Sequence, residues 1–110
     1  MLGLYAAVTR QFADRSPERG WFPEERISMQ QAVECYTRGS AYAEFTEDRK
    51  GMLRPGFLAD VVVLSRDIFR CPAREILETR PVLTMVGGRV VFTDGIMDVP
   101  EKSDAPQAYA

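Results

Sequence analysis

Histidine is absent from the 110 residues. That removes the commonest zinc ligand, the usual general base near neutral pH, and any serine or cysteine triad built on imidazole. Cysteine is almost as scarce. Cys35 and Cys71 lie far apart with no second cysteine near either, which fits neither a zinc knuckle nor a disulfide-dense scaffold and reads as two reduced, buried thiols. Neither sign of charge dominates, with 14 Lys and Arg against 16 Asp and Glu and a net charge of −2. Nucleic acid and acidic membranes are therefore not expected as partners. No apolar run approaches the roughly 18 residues of a membrane span, and residues 1–10 lack the pattern of a secretion signal, so a cytoplasmic location is expected.

What is present reads as two helices followed by short strands. Leu2, Tyr5, Val8 and Phe12 fall at helical spacing and predict a helix over 2–12 with one apolar stripe. A polar loop follows and ends in Trp21-Phe22-Pro23, two large aromatics for which a pocket is expected. Ser28-Met29-Gln30-Gln31 fits a capping box, with Ile27 and Ala32 at the hydrophobic-staple positions. A helix is predicted from there over about 29–43, burying Ala32, Val33, Tyr36 and Ala43, with a small-residue patch at Gly39-Ser40.

After residue 46 the period changes. A short strand is predicted over 50–53, opening on Lys50-Gly51. Arg54-Pro55-Gly56-Phe57 carries the central residues of a type II turn, and 58–64 reads as a strand covered on both faces. Residues 72–78 suggest a turn or two of helix with proline first. The segments 82–86 and 89–92 flank Gly87-Gly88, the two-residue connection of a type I′ hairpin. The fold class is α+β, divided as helices over 1–46, strands over 47–94, and a polar tail over 95–110 expected to be disordered.

Few residues offer chemistry. The carboxylate pairs Glu24-Glu25 and Glu47-Asp48 are adjacent in sequence and point apart on a loop, and the first pair suits the dipole of the helix that follows. Gly87-Gly88 has no helix after it to hold a phosphate. Arg10, Arg15 and Arg19 read as a solvated face. Asp60, between Ala59 and Val61-Val62-Val63, reads as a buried charge bonded to turn amides, locking the Pro55-Gly56 turn against the strand.

The run from Lys50-Gly51-Met52-Leu53 through Pro55-Gly56 and Ala59-Asp60 to Leu64 resembles the C-terminal motif of the amidohydrolase superfamily. The hairpin Thr84-Met85-Val86-Gly87-Gly88-Arg89-Val90-Val91 resembles the segment closing the small β-sandwich of the same family. Gly3 to Arg10, Glu24 to Ser28, and Ala32 through Tyr36-Thr37 to Ala43 are similar to the amidohydrolase-3 branch. The resemblance covers about residues 2–93. It implies a metal-dependent hydrolase of carbon-nitrogen bonds, built as a TIM-type barrel with a composite β-sandwich. The family's metal ligands are barrel histidines, a bridging group and an aspartate, and the matching region begins after that aspartate. No catalytic or metal-binding residue therefore carries over to this chain, which is expected to hold no cofactor. The zinc that the family implies would sit on residues absent here. Ser28, Gly51, Pro55, Gly56, Asp60, Gly87 and Gly88 are expected to be structural. The expected partner is a missing barrel domain or a second copy forming a homodimer.

Overall fold

The computed structural model describes residues 1–95 as an α+β chain whose contacts cluster into two compact units. The first comprises Met1–Cys35 and Arg66–Arg80, the second Tyr36–Ser65 and the chain from Pro81. The end of the second helical segment thus falls in the unit that holds the strands, and 66–80 in the unit that holds the first helix. The tail over 96–110 lies outside the described residues.

In the first unit, helix α1 (Leu2–Thr9) packs on α2 (Met29–Glu34) and α4 (Ala73–Ile76). Its buried residue is Tyr5, 1% exposed, with Ala32, Ile68 and Ile76 also buried in this unit. The helix stops three residues short of the expected end because Arg10 adopts the left-handed conformation (φ 59°) while its amide donates to the Ala6 carbonyl at 2.8 Å. Leu2 and Phe12 are consequently exposed rather than part of a buried stripe. Trp21 and Phe22, for which a pocket was expected, are each 56% exposed and lie against each other, ring centroids 5.7 Å apart.

The helical segment after Ser28 does not keep one period. α2 gives way to a π turn over Cys35–Gly39, and α-helical bonding resumes in α3 (Ser40–Ala43). A π turn takes up more residues per turn and shifts the phase of everything beyond it. Tyr36 is therefore 60% exposed and Ala43 is exposed, against expectation, while Ala41 is buried. The thiols expected to be buried are not: Cys35, in the π turn, is exposed and Cys71 is half-buried.

In the second unit, β1 (Val61–Leu64), β2 (Pro81–Val86) and β3 (Arg89–Thr93) form an antiparallel sheet in the order β1-β2-β3. Val61, Met85 and Val90 stand opposite one another across the strands, as do Val62, Thr84 and Phe92. Side chains alternate between faces along a strand. Val90 and Leu83 are buried, whereas Val62 and Phe92 are exposed, so β1 is not covered on both faces as its composition suggested. The expected strand over 50–53 is absent: the Lys50 amide returns to the Thr46 carbonyl at 3.1 Å and Gly51 takes φ 98°. β1 likewise begins at Val61 rather than Leu58.

Candidate functional site

Seven residues were singled out from the sequence, and the structure places each of them in local architecture. Ser28 completes its capping box: its hydroxyl accepts from the Gln31 amide at 3.1 Å, and the Gln31 side chain accepts from the Ser28 amide at 2.9 Å. Both are amides that a helix start leaves without intrahelical partners.

Gly51 is a point of close approach. A β-carbon there would lie 2.9 Å from the Ala41 Cβ and 3.2 Å from the Thr37 carbonyl oxygen, at a φ of +98°. The small-residue contact expected at Gly39-Ser40 is thus made by Thr37, Arg38 and Ala41 against Gly51. Pro55 and Gly56 occupy a turn closed by the Phe57 amide on the Arg54 carbonyl at 3.1 Å, with Gly56 at φ 89°. The Arg54 guanidinium lies 5.0 Å from the centre of the Phe57 ring.

Asp60 corrects the sequence reading in two respects. It is exposed, and its partner is the hairpin turn rather than the Pro55-Gly56 turn. One carboxylate oxygen accepts from the Gly87 amide at 2.8 Å, while the neighbouring Ala59 carbonyl accepts from the Gly88 amide at 3.0 Å. Gly87 and Gly88 have φ of 57° and 80°, as a type I′ turn requires. Consecutive residues before β1 thereby hold both turn amides of the β2–β3 hairpin. A carboxylate acceptor makes the stronger of the two bonds.

Among the described residues the carboxylates do not assemble into a metal-binding group. Glu24 and Glu25 sit in a short 3₁₀ turn (Pro23–Glu25), and Glu47 and Asp48 are exposed. Glu44 is bonded at 2.6 Å to Lys50, whose hydrogen bond and then charge hold its carboxyl below the usual carboxylate range. Among the described residues, no three of His, Cys, Asp and Glu are grouped where they could hold a metal ion, and no buried side-chain polar atom lacks a partner. With no histidine anywhere in the sequence, the donors present do not fit the divalent metal that the resemblance implies.

Missed by sequence reasoning was a polar network in the first unit around Gln11. Its side-chain oxygen accepts from the Tyr5 hydroxyl at 2.5 Å, and its amide nitrogen donates to the carbonyls of Pro17 and Glu18 at 3.2 and 2.8 Å. No short motif announces it, because the partners are six and seven residues away.

The comparisons with known proteins decide the lineage. A family model described as Amidohydrolase family matches residues 1–92. The chain belongs to the amidohydrolase family. It is 27% identical over 92 residues to the putative amidohydrolase YtcJ of Bacillus subtilis (strain 168), covering 84% of this chain and 17% of that protein. It is 33% identical over 75 residues to the protein LONG AFTER FAR-RED 3 of Arabidopsis thaliana, covering 68% of this chain and 13% of that protein. An N-substituted formamide deformylase of Arthrobacter pascens is 28% identical over 85 residues, covering 77% and 15%. This amidohydrolase chain thus spans less than a fifth of the length of these curated relatives. No solved structure matches it.

Proposed function

We propose that this chain is the C-terminal part of a metal-dependent amidohydrolase acting on non-peptide carbon-nitrogen bonds, and that its own residues carry architecture rather than chemistry. The match to the family over residues 1–92, joined to a sequence without histidine and to described residues that group no three His, Cys, Asp or Glu, supports this reading. In it, α1 to α3 are terminal helices of a barrel, β1 to β3 are one end of a composite β-sandwich, and the protein works in the cytoplasm. Among the described residues no helix is long and apolar enough to cross a membrane, in keeping with that placement.

Activating water for hydrolysis requires a metal or an equivalent acid to bring its pKa towards about 7, and the described residues include no group of His, Cys, Asp and Glu placed to hold such a metal. The purified chain, given zinc, should neither bind the ion stoichiometrically in equilibrium dialysis nor hydrolyse N-acyl or N-formyl amines. A longer polypeptide carrying the same residues together with histidine-bearing barrel strands should do both. Chelator-sensitive turnover by the pure chain would overturn the proposal.

A second reading rests on apolar exposure. Phe45 is 87% exposed in a left-handed conformation, and Tyr42, Trp21, Phe22 and Val62 are each more than half exposed. Large exposed apolar groups in such number favour burial against another surface. On this reading the chain is a noncatalytic module that self-associates as a dimer, or a subunit completing a barrel carried by another chain. Light scattering at micromolar concentration tests the first form: a dimer is expected, and a monodisperse 12.4 kDa particle would defeat it.

A further inference from the structure

Between α1 and the 3₁₀ turn the chain makes a closed excursion whose stabilisation differs from that of its surroundings. Residues 12–19 are all exposed, so burial contributes little to holding them. They are held by polar bonds instead. The Phe12 amide donates to the Ser16 carbonyl and the Arg15 amide to the Phe12 carbonyl, each at 2.9 Å. Asp14 accepts from the Ser16 amide and hydroxyl at 2.9 and 2.6 Å. The base is clasped reciprocally: the Trp21 amide donates to the Arg10 carbonyl at 2.8 Å, and the Arg10 Nε donates to the Trp21 carbonyl at 2.9 Å. At that base Gly20 passes so close to Thr9 that a β-carbon would lie 2.3 Å from its carbonyl oxygen.

The Gln11 side chain joins the excursion to the buried part of the unit. Gln11 takes the hydroxyl of fully buried Tyr5 on its oxygen and grips the Pro17 and Glu18 carbonyls with its nitrogen. Arg10, Arg15 and Phe22 meanwhile keep positive φ values of 59°, 68° and 48°. Residues other than glycine hold such conformations only where their surroundings enforce them. Segments with exposed hydrogen bonds and little buried apolar surface open locally, without unfolding the rest.

We infer that residues 12–20 form a strap with a closed and an open state, that Gln11 is its latch, and that closure fixes the display of the Trp21–Phe22 aromatic pair. Opening the latch releases the carbonyls of Pro17 and Glu18 to water while α1 and its packing stay intact. The aromatic pair then loses the clasp that orients it, so the latch governs the presentation of this exposed surface. The device is independent of the hydrolase reading, since it involves no metal and no residue outside Tyr5 to Phe22.

Hydrogen exchange tests it. Gln11→Glu keeps an acceptor for Tyr5 but loses both donors to the strap. Exchange at the amides of Arg15, Ser16, Gly20 and Trp21 should accelerate by about tenfold or more, with the amides of α1 and of the β2–β3 hairpin unchanged. Gly20→Ala, which forces the base apart, should accelerate the same amides. Unchanged strap exchange in Gln11→Glu would overturn the latch, and acceleration spread equally through α1 and α2 would overturn the independent strap.

Discussion

Two regions of this molecule close irregular backbone, and they do so by different physics. In the second unit, glycines at Gly51, Gly87 and Gly88 bring backbone where a side chain has no room or no allowed conformation, and Asp60 adds a charged acceptor. Around the strap in the first unit, one tight glycine, Gly20, sits at the base, and the Gln11 amide, the Ser16 hydroxyl, the Asp14 carboxylate and the Arg10 guanidinium do the rest of the closing over exposed residues. The contrast teaches where stability is lodged. Steric and conformational constraints penalise a wrong residue in the whole fold, whereas exposed polar bonds set only how often one segment opens.

The comparison breaks first, if it breaks, at Gly51. Gly51→Ala meets the Ala41 Cβ at 2.9 Å in a left-handed conformation and should cost about 2 kcal/mol or more. Thermal melting would show it as a fall of several degrees, and an unchanged melting temperature would mean that the backbone there yields. Gly56→Ala is the matched control, since a β-carbon at Gly56 would meet nothing within 4 Å and only its φ is unfavourable. Its cost should be about 1 kcal/mol.

Asp60→Ala comes next, removing the acceptor for the Gly87 amide, with an expected loss of about 1 to 2 kcal/mol. Asp60→Asn keeps an oxygen in place and should melt between the wild type and Asp60→Ala. Ser28→Ala, which strips the cap from α2, should cost about 1 kcal/mol in denaturant unfolding. On the other side of the comparison, Gln11→Glu should move the melting temperature less than any of these while changing exchange in the strap most.

The smallest effect is in acid. Hydrogen bonds from the Ser16 hydroxyl and amide lower the pKa of Asp14 in the folded chain. A carboxyl depressed on folding contributes stability above its unfolded pKa of about 3.9 and loses it as pH falls through the native value. Strap opening should therefore rise only below about pH 4. Carboxyl titration by NMR should place Asp14 below the ordinary range, and Ser16→Ala, which loses the hydroxyl but keeps the amide, should bring it part of the way back.

These residues also mark how far the sequence could be read. The capping box at Ser28 was legible because its partner Gln31 stands three positions away, and the glycine pair at 87–88 because the positive φ that a type I′ turn demands is a local property of the two residues. The turn at Pro55-Gly56 was legible for the same reason. Tyr36 was placed on the wrong side because a constant helical period was carried through residues that form a π turn, a choice that hydrophobic spacing does not encode. Asp60 was recognised as a bonded carboxylate, yet its partner lies 27 residues away, and no local pattern distinguishes one turn's amides from another's. The helix over 2–12 was overextended because Arg10, an ordinary helix former, is turned out of the helix by its clasp with Trp21.

The way the two compact units share the chain bears on its synthesis. The first unit takes residues 1–35 and 66–80, and the second takes 36–65 and the chain from 81 onwards, so each is interrupted by a stretch of the other. As the polypeptide leaves the ribosome, α1 and α2 emerge before α4 and wait for it, with 36–65 intervening. β1 in turn waits for β2 until 66–80 have passed. Each wait is a loop that must be closed before its contacts repay the entropy. A nascent chain stalled after Arg80 would hold every segment of the first unit and a β1 strand with no β2 to pair with.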